Sequence, residues 1–144
     1  MNIDFDAKPI SNLPTRARAI LGVPDVYLPD EVINSPVFTA KASKYVNKKI
    51  AEYEDLDSSL INIAFVYYVC YLLCTGMYAR LPKQMENVNT KTVLQNIDWD
   101  SKALEMLGMC DETLEDAISD VEETQYGITM AVLSDASEYP NTTI

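Results

Sequence analysis

No histidine occurs among the 144 residues, and only four glycines, three cysteines and one tryptophan do. Without histidine the chain lacks the side chain whose ordinary pKa suits acid–base work near neutral pH, which is also the commonest metal ligand. Four scattered glycines form no phosphate-cradling loop, and no nucleophile motif is present, so the familiar routes to catalysis are unsupported. Carboxylates are plentiful, at 22, but nothing in their spacing selects an acid–base pair. No D-x-[DN]-x-[DN]-G loop occurs, which argues against calcium. The expectation is a structural or binding protein and not an enzyme, with no catalytic residue, cofactor or metal to assign.

Cys70, Cys74 and Cys110 are odd in number and follow no basic, apolar, cleavable leader, since the chain opens on the polar "MNIDFDAKPISNLPTRARA". A disulfide framework is not expected, and synthesis is placed in a cytoplasm. The three read as buried small hydrophobes. Cys70 and Cys74 could share a helix face toward a metal, but their neighbours are apolar.

The formal charge of −11 is uneven: residues 1–80 carry 8 Lys/Arg against 9 Asp/Glu, and residues 81–144 carry 3 against 13. A surface of that sign repels phosphate, which excludes tight nucleic-acid binding through a basic footprint. It allows an acidic wall past which DNA slides.

Proline and glycine at Pro14, Gly22, Pro24, Pro29 and Pro36 allow only short helical pieces early on, over Thr15 to Leu21 and Asp30 to Asn34. Ser35 reads as an N-cap with Pro36 at the first helical position, and Phe38, Ala42, Tyr45, Val46, Ile50 and Tyr53 recur at helical spacing to about Glu54. Lys41, Lys44 and Lys48 line another face, either solvated or set against an acidic neighbour. Asp57 or Ser58 caps the next helix. A polar stretch from Lys83 to Asn96 reads as a long loop. Asp98 or Asp100 then caps a short helix ended by Gly108, and Asp111 caps a further acidic helix with Leu114, Ala117, Ile118 and Val121 as its apolar stripe. "ITMAVL", after Gly127, is β-prone and reads as an extended C-terminal arm. No internal repeat occurs. The domain division is 1–124 for a helical body and 125–144 for the arm or tail.

The chain's most apolar stretch is "LINIAFVYYVCYLLCTGMYARLP", Leu60 to Pro82, close to the ~20 residues of a bilayer-spanning helix. Wound at ~100° per residue, it gathers Asn62, Val66, Val69, Leu73 and Gly76 on an aliphatic side and Ala64, Tyr67, Tyr71 and Tyr78, flanked by Tyr68, on the other. Mid-helix tyrosines would leave hydroxyls without partners in lipid, which counts against a span. A helix apolar nearly all round must be covered all round. Val66, Val69 and Leu73 are therefore expected in the subunit core, and Tyr67, Tyr68, Tyr71 and Tyr78 at a contact with another subunit.

Three stretches, "ARAILGVPDVYLPDEVI", "AKASKYVNKKIAEY" and the long apolar helix ending in Arg80 and a loop, together resemble the small all-helical head–tail adaptor (connector or neck) proteins of tailed bacteriophages. The resemblance covers roughly Ala17 to Pro82. It implies an all-α fold, a small helical bundle around one long central helix with an extended loop. It also implies a ring, usually twelve-fold, at the virion neck, assembled in the host cytoplasm. The partners would be other copies of the chain, the portal protein and the next neck or tail-completion protein, with DNA passing through the lumen without specific binding and no membrane involved. Two other readings stand beside it: a small membrane-associated helical protein anchored by residues 60–79, and a regulatory module binding one partner helix.

Overall fold

In the computed structural model the described residues are 1–81, Leu94 and 96–141, with side chains described as far as Glu122. Among them the fold is all-α, with six helices and no strand: α1 (Leu13–Leu21), α2 (Asp30–Ile33), α3 (Pro36–Ile50), α4 (Ser58–Cys74), α5 (Met77–Arg80) and α6 (Trp99–Asn141). The loop expected over Lys83 to Asn96 lies almost wholly outside the described residues.

Local chemistry sets most of the boundaries. Gly22 ends α1 with φ +68° and its N–H on the Arg18 carbonyl at 2.8 Å, the left-handed termination that glycine adopts without a Cβ penalty. The Ser35 hydroxyl accepts from the Val37 N–H with Pro36 behind it, and the Asp57 carboxylate accepts from the Ser59 N–H at 2.8 Å. Both caps match the sequence expectation. Asp98 does the same for α6, taking the Ser101 N–H at 3.2 Å and hydroxyl at 2.8 Å. These Ser101 bonds come first among the causes that hold its carboxyl below the ordinary carboxylate range.

α4 lies at the centre. α6 runs along one side of it, while α3 and α1 pack against other sides. Ile61, Ala64, Phe65, Val66, Val69, Cys70, Leu73 and Cys74 are buried on α4, facing Leu13, Ala17 and Leu21 of α1, Ala42, Val46 and Ile50 of α3, and the α6 row from Trp99 to Ala117 in one cluster. Fully burying a large apolar side chain stabilises by roughly 1.5–3 kcal/mol, so this cluster is the main favourable contribution of the body. The N-terminal segment joins it. Phe5 meets Phe65 with ring centroids 4.4 Å apart, and Asn47 both accepts from the Ile3 N–H at 2.8 Å and donates to its carbonyl at 2.9 Å.

Four expectations need correction. The central helix, expected to run from its Asp57 or Ser58 cap to about Ala79, is not continuous. It ends at Cys74, where the Thr75 hydroxyl donates to the Leu72 carbonyl at 2.7 Å and Gly76 leaves helical geometry (φ −105°, ψ 1°), and α5 restarts at Met77. Gly108 does not end a helix, and Asp111 does not begin one: both lie inside α6. The segment over "ITMAVL" is helical, since α6 continues to Asn141. β-branched residues disfavour a helix only by tenths of a kcal/mol each, and continuing a helix already formed avoids the cost of a new nucleus.

Candidate assembly surface

The tyrosine side of α4 is not one open face. From Leu60 to Cys74 every α4 residue is buried or half-buried, because α6 is long enough to run the length of α4 where two short acidic helices would not. Tyr68 lies toward α3, where its ring stacks on Tyr45 at 4.3 Å between centroids and 20° between planes, and it meets Tyr71 at 5.4 Å. The Tyr45 hydroxyl donates to the Asp111 carboxylate on α6 at 2.5 Å. Asp111, expected as a helix cap, is instead the acceptor joining α3 to α6. Burial first, then the hydrogen bond to Asp111, pushes the Tyr45 phenol far above its ordinary value, and burial also leads the causes that raise Tyr68. Lys49 sits 5.4 Å over the Tyr45 ring, close enough for a weak cation–π attraction.

The other sequence-nominated residues separate by depth. Val66, Val69 and Leu73 are at most 1% exposed. Tyr67 and Tyr71 are half-buried and lie, with the half-buried Leu60, on one side of α4. Tyr78 is 45% exposed, yet its hydroxyl accepts the Trp99 N–H at 3.0 Å, and the buried Trp99 indole donates to the Leu94 carbonyl at 3.0 Å. One tyrosine of the expected contact surface therefore also ties the start of α6 to α5.

Chemically the described residues offer little to a reactive ligand. Cys70, Cys74 and Cys110 are free and buried, with thiols pushed up to about 12 chiefly by that burial, so they stay protonated near neutral pH and are poor nucleophiles. No group of three or more metal-ligating side chains occurs among the described residues. One concavity of about 620 Å³ is lined by Arg18, Ala19, Val23, Pro24 and Val26, but Arg18 is committed to the Asp30 carboxylate at 2.6 Å and the Leu28 carbonyl at 3.0 Å. Tyr27 also lines it, and its buried hydroxyl has no partner among the described residues. No helix among the described residues is both long and apolar enough to cross a membrane.

The chain matches no protein-family model, no curated protein and no solved structure. What distinguishes the fold is its last helix. At 43 residues and 1.5 Å per residue α6 is about 65 Å long, against a diameter of roughly 37 Å for a compact domain of this size. It carries eleven carboxylates and a single lysine, Lys102, and its last fully buried described position is Ala117. Sequence reasoning missed this helix because Gly108 and Gly127 read as stops.

Proposed function

We propose that the chain is a structural subunit of a tailed-phage head–tail adaptor, forming a ring between the portal and the next neck or tail-completion protein, with DNA passing through the ring. The observation that carries the reading is the length of α6 against the body it belongs to. At about 65 Å the 43-residue acidic helix is longer than a compact body of this size is wide, and neighbouring copies of the chain would supply surface along which such a helix packs. The resemblance of Ala17 to Pro82 to the adaptor family supports the same reading. So does the sign of the charge: carboxylates along a channel keep a polyanion from adhering.

In this reading Tyr67 and Tyr71 on α4 and Tyr78 on α5 are available to a neighbouring copy, and residues 125–144 act as an assembly arm with a helical backbone as far as Asn141. Nothing in it requires catalysis or a cofactor. Removing the chain from cells that produce the particle tests it. Negative-stain microscopy should then show heads and tails that have failed to join, restored to tailed particles by supplying the chain in trans. Normal tailed particles without the chain would contradict it.

A further inference from the structure

Two helix faces turned away from the core have matched composition. On α3, Val37, Lys41, Lys44 and Lys48 are all exposed, Val37 by 60%. At ~100° per residue they fall within about 60° of one another, opposite the buried Ala42, Val46 and Ile50. Among the described residues none of the three lysines makes an ion pair. On α6, Leu104, Gly108, Glu112 and Glu115 are all exposed, Leu104 by 69%, and fall within about 80° of one another, opposite the buried row. Each face holds one large exposed apolar residue and charge of one sign.

The spacing matches as well. Val37 to Lys48 and Leu104 to Glu115 are the same number of residues apart, about 16.5 Å along either helix. Laid side by side in the same direction, Val37 meets Leu104, Lys41 crosses Gly108, Lys48 meets Glu115, and Lys44 falls within one residue, about 1.5 Å, of Glu112. Laid in opposite directions, Val37 would face Glu115 and Lys48 would face Leu104, so the pattern selects the parallel arrangement. Gly108 adds an independent point. A glycine inside a helix costs roughly 0.5–1 kcal/mol relative to alanine, and a Cβ there would meet nothing within 4 Å in the subunit. The fold does not use the space that Gly108 leaves, whereas a second helix crossing at that point would.

We propose that the α3 face Val37–Lys41–Lys44–Lys48 of one copy docks in parallel on the α6 face Leu104–Gly108–Glu112–Glu115 of the next. The occupant of each face is a second copy of this chain. The two faces differ, so the contact is heterologous and repeats from copy to copy, closing into a ring or continuing as a filament; closure rests on the adaptor reading, the contact does not. Lysine stems cover the glycine step while their ammonium groups reach the carboxylates beside it. The −11 charge of each copy opposes association at a distance, and the lysine stripe is where that opposition is locally reversed.

Sedimentation velocity of the full chain tests this with charge reversal. K44E/K48E and E112K/E115K alter only exposed positions, so circular dichroism should remain that of the wild type. Wild type should self-associate, and each double variant alone should associate at least about tenfold more weakly. An equimolar mixture should recover to within about threefold of wild type, because each variant's altered face then meets an opposite charge on the other. D25K/E54K, which changes net charge as E112K/E115K does but elsewhere on the surface, should stay within about twofold of wild type. A wild type that is monomeric at every concentration, or a mixture that fails to recover, overturns the contact. Wild type and both variants forming rings alike would reject the contact and leave the adaptor reading standing. Recovery that stops at two copies would keep the contact and reject the ring.

Discussion

Tyr45 on α3 donates to Asp111 on α6 at 2.5 Å, joining residues 66 positions apart in sequence. The bond is charge-assisted, and such bonds contribute about 1.5–3 kcal/mol where solvent is excluded. Both partners here are half-buried, which reduces that figure. Tyr45→Phe should keep the stack on Tyr68 and lower unfolding stability by about 1–2 kcal/mol in urea denaturation. Tyr45→Leu, which removes the ring as well, should cost more. Equal stability of Tyr45→Phe and wild type would show that the hydroxyl contributes nothing net.

The depth of the α4 residues gives a second prediction. Val69→Asp and Leu73→Asp place a carboxylate at positions no more than 1% exposed, without a partner, and should each cost upward of about 3 kcal/mol or prevent folding. Tyr71→Asp, at a half-buried edge, should retain most of the helical signal and weaken self-association instead. Parallel loss of helicity in all three would assign Tyr71 to the core.

Alkaline pH should destabilise the fold, and the thiols set where. Cys70, Cys74 and Cys110 rise from 9.0 to about 12 in the folded chain, so the unfolded chain releases their protons first. The stability they contribute is complete below pH 9 and is lost progressively between pH 9 and about 12. Tyr45 and Tyr68, raised from 10.0, add to the loss above pH 10. Thermal melts from pH 8 to 10 should fall in midpoint, and replacing the three cysteines by alanine should flatten the decline. An unchanged slope in that variant would remove the thiols from the account.

Trp99 is the only tryptophan and is fully buried, which makes its emission a direct reporter of the α5–α6 junction. Tyr78→Phe removes the acceptor of the Trp99 N–H and should lower stability by about 1 kcal/mol. The folded emission maximum should stay where it is. A red-shifted folded spectrum would mean that the tyrosine positions the start of α6 and does more than cap it.

What could be read from the chain follows how local the governing interactions are. The caps at Ser35 and Asp57 were legible because each depends on neighbours within a turn, and the burial of Val66, Val69 and Leu73 because helical spacing gathers them on one stripe. The continuity of α6 was not, because a glycine penalty of about 1 kcal/mol at Gly108 is outweighed by the burial of Cys110, Leu114 and Ala117 beyond it. The docking of Phe5 on Phe65 was equally hidden, since one aromatic in a polar leader carries no period. The tyrosines were visible as a group, but Tyr45 over Tyr68 and the use of Tyr78 by Trp99 are long-range pairings. Lys41, Lys44 and Lys48 showed their stripe in sequence, while the matching stripe on α6 depended on the helix running through Gly108.

Cryo-electron microscopy of the native assembly that contains this chain tests the central claim most directly, by counting copies and locating α6. The adaptor account predicts a closed ring of copies, twelve by the family resemblance, around a channel at the junction of head and tail, with α3 of each copy against α6 of the next. A single copy bound to an unrelated partner, or an assembly recovered only as a membrane-embedded protein, would contradict it.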